Sequence, residues 1–312
     1  MMSPAPGPSV RVPHCGASQT PITYEYLLSL QESDVPHSYT ERDTMLYALS
    51  IGMGRDPLND DELQYVFEGM GTLRALPTQA ITVCVPGLIW NIGLDVERFL
   101  HGEQKFKFHR PFPPAAEVFN SSRIAQVYDR GHGKGCVLEL DGTVRLADGQ
   151  PLVSWLARIV ALGDGGIGTD RKLPRPHVIP DRKPDMIGVA ETRRDQALLY
   201  RLNGDRNLVH VDPRVARGAG FPVPILHGAC TASIACREIV RLVCKYDQSW
   251  IEEFDVRWTA PVFPGEHVET AMWLDDGVVS FRCRSVERDK VVIDHGRCTL
   301  RSTPAIDLAP DA

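Results

Sequence analysis

The sequence predicts an α+β protein built from two similar halves. Two apolar stretches, residues 83–94 and about 226–244, are hydrophobic on all sides, so each is expected to form a buried helix. Each is followed by several strand-like segments separated by turns, and a curved antiparallel sheet would bury such a helix. The segments F-H-R-P-F-P-P at 108–114 and W-T-A-P-V-F-P-G at 258–265 each precede a predicted strand. This match indicates an internal repeat.

The first half begins after a Pro-rich tail at residues 1–20. A short helix or strand is predicted at 24–30. Thr40 is a favourable N-cap followed by acidic residues, so a helix is predicted to begin there, and a weaker helix or strand is predicted at 62–68. The buried helix at 83–94 follows, with a proline near its first turn. Apolar alternation and turn residues predict strands at 104–109, 121–128, 135–140 and 152–162.

The best candidate for a linker is residues 163–185, where the composition shifts to Gly, Pro and charged residues. Its glycines match G-x-G-x-x-G, which is a dinucleotide fingerprint only if a helix opens at the last glycine. The prolines that follow exclude such a helix. We therefore predict an N-terminal domain at 21–162, this linker, and a C-terminal domain at 186–312.

The second half repeats the order of elements in the first. Residues 197–202 are predicted as a strand or an entry segment, and the apolar helix at about 226–244 follows. Further strands are predicted at 251–259, 266–274, 278–286 and 289–301.

Composition and charge exclude several classes of function. The net charge is −6 and Lys and Arg are scattered, so nucleic acid is not an expected partner. The eight cysteines form no C-x-x-C pair and the histidines no H-x-x-x-H spacing, so we expect reduced thiols and no metal site. No apolar stretch is long enough for a bilayer, no signal peptide is recognisable, and the final A-P-D-A is not an SKL-type peroxisomal address. We expect a cytoplasmic protein without a membrane partner.

The residues that point to chemistry lie between 204 and 240. Asp205, Asn207 and His210 place an acid, an amide and an imidazole within six residues, which suits acid–base catalysis on a water molecule. The letters G-D-R-N are also good turn chemistry, so a purely structural turn is the alternative. G-F-P-V-P-I-L-H-G then leads into the apolar helix. The unpaired N–H of Gly228 at its start would stabilise negative charge on a thioester or amide oxygen.

These motifs resemble those of a known family. D-R-N-L-V-H-V-D-P with G-F-P-V-P-I-L-H-G is similar to the hydratase 2 motif of the MaoC-like (R)-specific enoyl-CoA hydratases. The segments Y-T-E-R-D-T-M-L-Y-A-L-S-I-G, L-H-G-E-Q, V-Y-D-R-G-H-G-K-G and G-D-G-G-I-G resemble the N-terminal half of the two-domain, eukaryotic-type members. Those members resemble the hydratase part of peroxisomal multifunctional enzyme type 2. The resemblance covers roughly residues 35 to 302.

The resemblance implies a double hot-dog fold, in which each of two domains wraps an antiparallel sheet around a long central helix. It implies that the N-terminal domain holds the acyl chain while the C-terminal domain reversibly hydrates trans-2-enoyl-CoA to (3R)-3-hydroxyacyl-CoA. Asp205 and His210 match the pair that activates one water for syn addition. Asn207 matches a residue that orients this water or the pair, and the Gly228 N–H matches the donor to the thioester carbonyl. No metal or redox cofactor is implied.

The resemblance also implies positions that bind CoA and the acyl chain. They are His101, Gly102, Arg130, Arg206, Leu208, Val209 and Trp258. Leu208 replaces the family's proline, Arg130 replaces its usual lysine, and Trp258 is a larger aromatic residue than usual. These departures bear on acyl preference and rate.

Three other functions are compatible with the same fold. The first is a dehydratase that acts on carrier-bound 3-hydroxyacyl chains, the second is a non-catalytic acyl-CoA-binding subunit, and the third is a thioesterase. Hot-dog proteins commonly pair through their sheets, so a homodimer is expected by analogy.

Overall fold

A computed structural model describes residues 22–71, 73–84 and 86–303 of the 312-residue chain. Most of the described residues lie in ten strands and six α-helices or in the turns between them. The strands are β1 (Gln31–Tyr39), β2 (Phe99–Phe108), β3 (Ala116–Asp129), β4 (Cys136–Leu146), β5 (Pro151–Ala161), β6 (Met186–Glu191), β7 (Ile251–Trp258), β8 (His267–Asp275), β9 (Val278–Ser285) and β10 (Lys290–Leu300). The α-helices are α1 (Tyr24–Ser29), α2 (Glu41–Ser50), α3 (Asp60–Leu63), α4 (Gln196–Tyr200), α5 (Pro213–Gly218) and α6 (Gly228–Leu242).

Short 3-10 helices connect several of these elements. They span Glu68–Met70, Pro77–Thr82, Gly87–Asn91, Val96–Arg98, Arg201–Asn203, Leu208–His210 and Gln248–Trp250.

The ten strands form one antiparallel sheet in the order β1-β3-β4-β5-β2-β7-β10-β9-β8-β6. The first five strands have the order 1-3-4-5-2, and the last five have the corresponding order 6-8-9-10-7. The two halves therefore have the same topology and meet at the central pair β2–β7. This confirms the predicted α+β class, the internal repeat and the double hot-dog fold.

The seam between the halves is the pairing of β2 with β7. On one face of the seam Phe106 lies opposite Phe254, and both rings are buried. On the other face oppositely charged residues lie directly across from each other, which favours this register over a one-residue slip. The pairs are Glu103 with Arg257, Lys105 with Asp255 and Lys107 with Glu253, with N–O distances of 3.7, 3.5 and 3.9 Å.

The long helix α6 is the only extended helix in the described residues, and it packs against β6, β7 and β8 of the sheet. All its residues from 230 to 240 are buried, and they include the charged Arg237 and Glu238, which form an ion pair at 2.8 Å. It also contacts the N-terminal half. The Tyr47 hydroxyl of α2 lies 2.6 Å from Ser233 Oγ, and the guanidinium of Arg237 donates to the carbonyls of Ile51 and Gly52 at 2.9 and 2.6 Å.

The prediction of a helix at 83–94 is wrong. The described part of this stretch forms 3-10 turns instead, and Pro86 is the N-cap of the turn Gly87–Asn91 rather than a first-turn residue of a longer helix. Pro77 opens the preceding 3-10 helix, and Gly93 has a φ of 83° that an α-helix does not contain. Prolines and glycines at this spacing break the i to i−4 hydrogen bonds, so within the described ranges only the C-terminal half has a long central helix.

Most other elements agree with the sequence predictions. The helix predicted after Thr40 is α2, whose start is fixed by Asp43 Oδ2 accepting from the Thr40 N–H at 2.9 Å. All eight predicted strands are present as β2–β5 and β7–β10. The segment 197–202 is helical rather than a strand, and the edge strands β1 and β6 were not predicted. β1 is exposed along most of its length. In β6 the buried positions are the small residues Gly188 and Ala190, while Ile187 and Val189 are exposed, so neither strand shows the apolar alternation that marks a buried face.

The predicted linker carries no helix or strand between β5 and β6. Its glycines instead bind a carboxylate, because the N–H groups of Gly166 and Gly168 donate to Asp129 at 2.9 Å each. The described cysteines are all free and buried, whereas Cys15 and the predicted tail at 1–20 lie outside the described residues. No helix in the described part of the chain is both long enough and apolar enough to span a bilayer.

We expect the seam to be stabilised mainly by its apolar face. Replacing the buried Phe106 with alanine removes a ring that packs between the halves, and the free energy of unfolding should fall by about 3 kcal/mol. Lys107→Ala is the matched control on the next residue, because it removes a largely exposed ion pair worth at most about 1 kcal/mol. Urea denaturation of both variants measures the difference. Equal losses would contradict this account of the seam.

Candidate active site

The predicted acid, amide and imidazole lie in a loop between α4 and α5. Asp205 and Asn207 shape this loop themselves: Asp205 Oδ1 accepts from the Asn207 N–H and Asn207 Oδ1 accepts from the Val209 N–H, both at 3.1 Å. Asn207 is thereby the N-cap of the 3-10 helix Leu208–His210. The loop therefore has the turn chemistry that the structural alternative required. It also leaves the second Asp205 oxygen and the Asn207 amide group available in an exposed position.

His210 is held in one tautomer by the backbone. Its Nδ1 lies 3.0 Å from the carbonyl oxygen of Ile225. A carbonyl oxygen only accepts hydrogen bonds, so Nδ1 must carry the proton and Nε2 keeps its lone pair. The ring is half-buried, and the segment that supplies the Ile225 carbonyl leads directly into α6. His210 is therefore oriented as a base.

The N-terminus of α6 lies beside this pair. Gly228 is the first residue of the helix and is exposed, and His227 before it supplies no side-chain hydrogen bond to the first turn. The first N–H groups of the helix therefore have no intrahelical partner and carry the positive end of its dipole. The indole Nε1–H of Trp258 donates to the Gly228 carbonyl at 2.8 Å. A β-carbon at residue 228 would lie 3.1 Å from that nitrogen, so only glycine fits without displacing the indole.

The N-terminal half contributes His101 to the same region. Gly102 lies at a bulge in the β2–β5 pairing, where a β-carbon would be 3.1 Å from Val160 Cγ2. Next to this bulge the His101 ring packs on Trp258 with 4.4 Å between ring centroids. His101 Nε2 lies 3.1 Å from Gln104 Oε1. The candidate site therefore spans the seam, with the strand β2 on one side and α6 on the other.

A second histidine, His227, completes the cluster. One side-chain oxygen of Asp205 and one ring nitrogen each of His210 and His227 all lie within 4.8 Å of one another. The two rings stack with centroids 3.7 Å apart and an interplanar angle of 26°. His210 Nδ1 and His227 Nε2 each lie within hydrogen-bonding distance of a backbone carbonyl oxygen, so each ring keeps one further nitrogen. Two stacked imidazoles beside a carboxylate suit proton transfer.

The environment keeps both stacked rings in the neutral form. Burial lowers the pKa of His210 below its ordinary 6.5, although the bond to Ile225 and the Asp205 carboxylate oppose this shift. Burial and the neighbouring His210 lower the pKa of His227 to about 4. Near neutral pH His210 can therefore accept a proton.

The structure brings some of the predicted site residues together and leaves others apart. Asp205, His210, Gly228, Trp258 and His101 surround one region. Arg206 and Leu208 are exposed in the same loop, while Val209 is half-buried and its carbonyl accepts from the Ile225 N–H at 3.4 Å. Arg130 is exposed at the turn after β3, outside this cluster.

Two residues of the cluster, His227 and Tyr200, do not stand out in the sequence as site residues. His227 belongs to the quoted motif P-I-L-H-G, but its stacking on His210 depends on the tertiary fold. The Tyr200 ring lies 5.0 Å from that of His227 and is buried. It precedes the motif, in a segment expected to be a strand or entry segment.

Comparison with known proteins agrees with both halves of the fold. Residues 37–157 match the model of the MFE-2 hydratase 2 N-terminal domain, and residues 177–296 match that of the MaoC like domain. "Enoyl-CoA hydratase 2, peroxisomal" of Arabidopsis thaliana is 34% identical over 295 residues, which cover 88% of this chain and 95% of that protein. The chain belongs to the MaoC-like enoyl-CoA hydratase 2 family. It is therefore an enzyme of the hydratase class.

Two further relatives show the breadth of this family. "3-Hydroxyacyl-thioester dehydratase Y" of Mycobacterium tuberculosis is 36% identical over 271 residues, covering 83% of this chain and 91% of that protein. The crystal structure of a MaoC-like dehydratase from Phytophthora capsici superimposes with a TM-score of 0.80 at 29% identity, covering 89% of this chain and 98% of that one.

The tautomers and pKa values of the cluster can be measured directly. We expect nitrogen-15 NMR to show His210 neutral near pH 7 with its proton on Nδ1, and to show its pKa below 6.5. In Asp205→Asn the His210 pKa should fall further, because the carboxylate that raises it is gone. Asp195→Asn, which changes a carboxylate paired with Arg193, is the control and should leave His210 unchanged. A neutral His210 protonated on Nε2 would contradict this geometry.

Proposed function

We propose that this enzyme reversibly hydrates trans-2-enoyl-CoA to (3R)-3-hydroxyacyl-CoA with Asp205 and His210 as the catalytic pair. The observation that carries the proposal is the meeting of three features at one place. These are a neutral, oriented imidazole, a carboxylate beside it and the open N-terminus of a helix. Addition of water to an alkene next to a thioester requires a base for water, a proton for C2 and stabilisation of enolate charge.

We propose that one water molecule is held between the members of the pair. An acceptor of a water hydrogen bond lies about 2.8 Å from the water oxygen, so two acceptors of one water are separated by about 4.5 Å. The carboxylate oxygen of Asp205 and a ring nitrogen of His210 lie within 4.8 Å. We assign His210 Nε2 as the base that takes one proton while the water oxygen bonds to C3. Asp205 accepts the other hydrogen bond of this water, and His210 then returns its proton to C2 from the same side, so that one water supplies both the hydroxyl group and the proton.

The start of α6 is suited to polarise the thioester carbonyl. As the oxygen–C3 bond forms, the alkene electrons move towards the carbonyl and leave negative charge on its oxygen. The Gly228 N–H and the positive end of the helix dipole would stabilise this charge. Asn207 has a smaller role in this scheme, because its side-chain oxygen already caps Val209. Its amide group is left to orient the water or the pair.

Both halves contribute residues to substrate binding in the proposed reaction. His101 and Trp258 form the aromatic wall next to Gly228, and we assign them to substrate contact together with Gly102 and the exposed loop residues Arg206, Leu208 and Val209. We also assign Arg130, an exposed cation at the turn after β3, to the phosphate groups of CoA. The reaction requires no metal and no redox cofactor. The homodimer and the cytoplasmic location stay predictions, and the Arabidopsis relative is named as peroxisomal.

A dehydratase is the second candidate, because the Mycobacterium tuberculosis relative carries that name at 36% identity. The chemistry is the same reaction in reverse, so the same residues serve both directions. What separates the candidates is the carrier of the acyl chain, which is free CoA in the first and an acyl-carrier protein in the second.

The proposal is tested by incubating the protein with trans-2-decenoyl-CoA and analysing the product on a chiral column. We expect (3R)-3-hydroxydecanoyl-CoA from the unmodified protein. His210→Ala should lower kcat by a factor of about 10³ or more, because it removes the base. His267→Ala, which changes an exposed histidine paired with Glu287, is the control and should retain activity.

Other products identify the alternatives. Turnover of the acyl-carrier-protein substrate without turnover of any enoyl-CoA would favour the carrier-bound dehydratase. Release of free CoA thiol would indicate a thioesterase. Binding of enoyl-CoA without any product would indicate a binding subunit and would contradict the proposal.

The assignment of Gly228 predicts a steric effect on catalysis. In Gly228→Ala the new β-carbon meets Trp258 at 3.1 Å, so the helix start or the indole must shift and kcat should fall at least about tenfold. Gly218→Ala is the matched control, because no atom lies within 4 Å of its β-carbon and activity should not change. Steady-state kinetics of both variants check this. Unchanged kcat in Gly228→Ala would remove Gly228 from the proposed mechanism.

A further inference from the structure

His227 is fully buried and contacts both members of the proposed catalytic pair. It is the N-cap residue of α6, directly before Gly228. One face of its ring stacks on His210 with centroids 3.7 Å apart. The Tyr200 ring packs nearby, tilted by 49° at 5.0 Å. The orientation of His210 therefore depends on two contacts, the Ile225 carbonyl at its edge and the His227 ring at its face.

The same side chain also binds the loop that carries Asp205. His227 Nε2 lies 3.2 Å from the backbone oxygen of Asp205. Because that oxygen only accepts, Nε2 carries the ring proton and donates it. Nδ1 is then left as an acceptor, and it is buried without a hydrogen-bond partner among the described residues. A buried imidazole that leaves one nitrogen unsatisfied is costly for stability, so its position calls for a reason other than packing.

We propose that His227 is a positioning residue that holds both members of the pair, His210 through its ring face and Asp205 through its Nε2–H. The proposal rests on the proposed hydratase function and adds to it a residue that does not touch the reacting atoms. It also assigns a chemical reason for an imidazole at this place. When His210 takes a proton from water it becomes a cation, and a neutral aromatic face against it is a favourable neighbour.

A charged neighbour would have the opposite effect. A protonated His227 would repel the cation that forms on His210 and would raise the barrier. Burial and the proximity of His210 lower the pKa of His227 to about 4, so it stays neutral while His210 changes charge. The stacked histidines therefore have different roles in spite of being the same residue type.

Several charged or titratable groups face this pair. The Asp205 carboxylate raises the pKa of both histidines, and Arg201 lowers that of His227. Tyr200 packs on His227 from α4. His101 approaches from β2, where desolvation lowers its pKa and the Asp205 carboxylate partly offsets that effect. A variant at residue 227 leaves all these groups in place, so a change in the pH profile reports on the contact between the two rings.

The test compares two substitutions by kinetics over a range of pH with trans-2-decenoyl-CoA. His227→Phe keeps a ring against His210 but cannot donate to Asp205. We expect kcat to fall about 10- to 100-fold with KM within about twofold, because the loop that carries the pair is released. The pH at which kcat/KM declines on the acid side (the acid limb of the pH profile) should be the same as in the unmodified protein.

His227→Ala removes the ring as well. One face of His210 is then open to water, so burial lowers its pKa less and the acid limb should move up towards 6.5. Cys236→Ala is the matched control for lost packing, because it truncates another fully buried residue of α6 away from the pair. It should lower the melting temperature without changing kcat or the pH profile.

Each outcome is decisive for one of the two proposals. If the unmodified protein does not hydrate the substrate, the proposed function fails. The positioning role fails on a different result. If the unmodified protein hydrates the substrate, and folded His227→Phe and His227→Ala both have its kcat and its pH dependence of kcat/KM, then His227 is only a packing residue. If His227→Ala does not fold, the kcat and KM of His227→Phe alone decide.

Discussion

The antiparallel pairing of β2 with β7 is the interaction on which the rest of the structure depends. It joins two five-stranded sheets into one and fixes their register through opposed charges on one face and paired aromatic rings on the other. Glu103 lies at the end of this seam and is almost buried, between Arg158 on β5 and Arg257 on β7. Immediately next to it the bulge at Gly102 turns His101 towards Trp258. A slip of the seam by one residue would therefore displace a wall of the site as well as expose the core.

The two halves share a topology but not their chemistry. In the C-terminal half a segment without proline, and with glycine only at its start, forms α6, and its first turn presents free N–H groups beside Asp205 and His210. In the N-terminal half prolines and glycines divide the corresponding segment into 3-10 turns, and the preceding turn Pro77–Thr82 packs against α6. Such turns have no comparable dipole. The C-terminal half is consequently able to stabilise developing negative charge. The N-terminal half packs against α6 and completes the walls of the site.

An element of this fold can be predicted from the sequence when its residues form a local pattern of apolar and polar positions. The strands β2–β5 and β7–β10 alternate between a buried and an exposed face, so their pattern is visible locally. β1 and β6 are edge strands held by pairing with β3 and β8, and such pairing leaves little trace in the sequence. The stretch at 83–94 has the hydrophobicity of a buried helix, but its proline and glycines outweigh hydrophobicity in choosing the backbone conformation.

The residues of the candidate site also differ in whether a local sequence pattern reveals them. Asp205, Asn207 and His210 are close in sequence, so a single motif reveals them, and the resemblance adds His101 and Trp258 from distant segments. The stacking of His227 on His210 and the seating of the Trp258 indole on Gly228 arise only from folding. Gly228 illustrates the difference: its place at a helix start is predictable, whereas the indole that leaves no room for a β-carbon is not.

In the proposed mechanism one water, held between Asp205 and His210, supplies both the hydroxyl group and the proton to one face of the alkene. Hydration of trans-2-decenoyl-CoA in heavy water, followed by assignment of the configuration at C2 and C3, tests this mechanism. We expect a (3R) product with a single deuterium at C2 on the face that received the hydroxyl group. Addition of deuterium to the opposite face would contradict it, because two groups on opposite sides of the substrate would then be required.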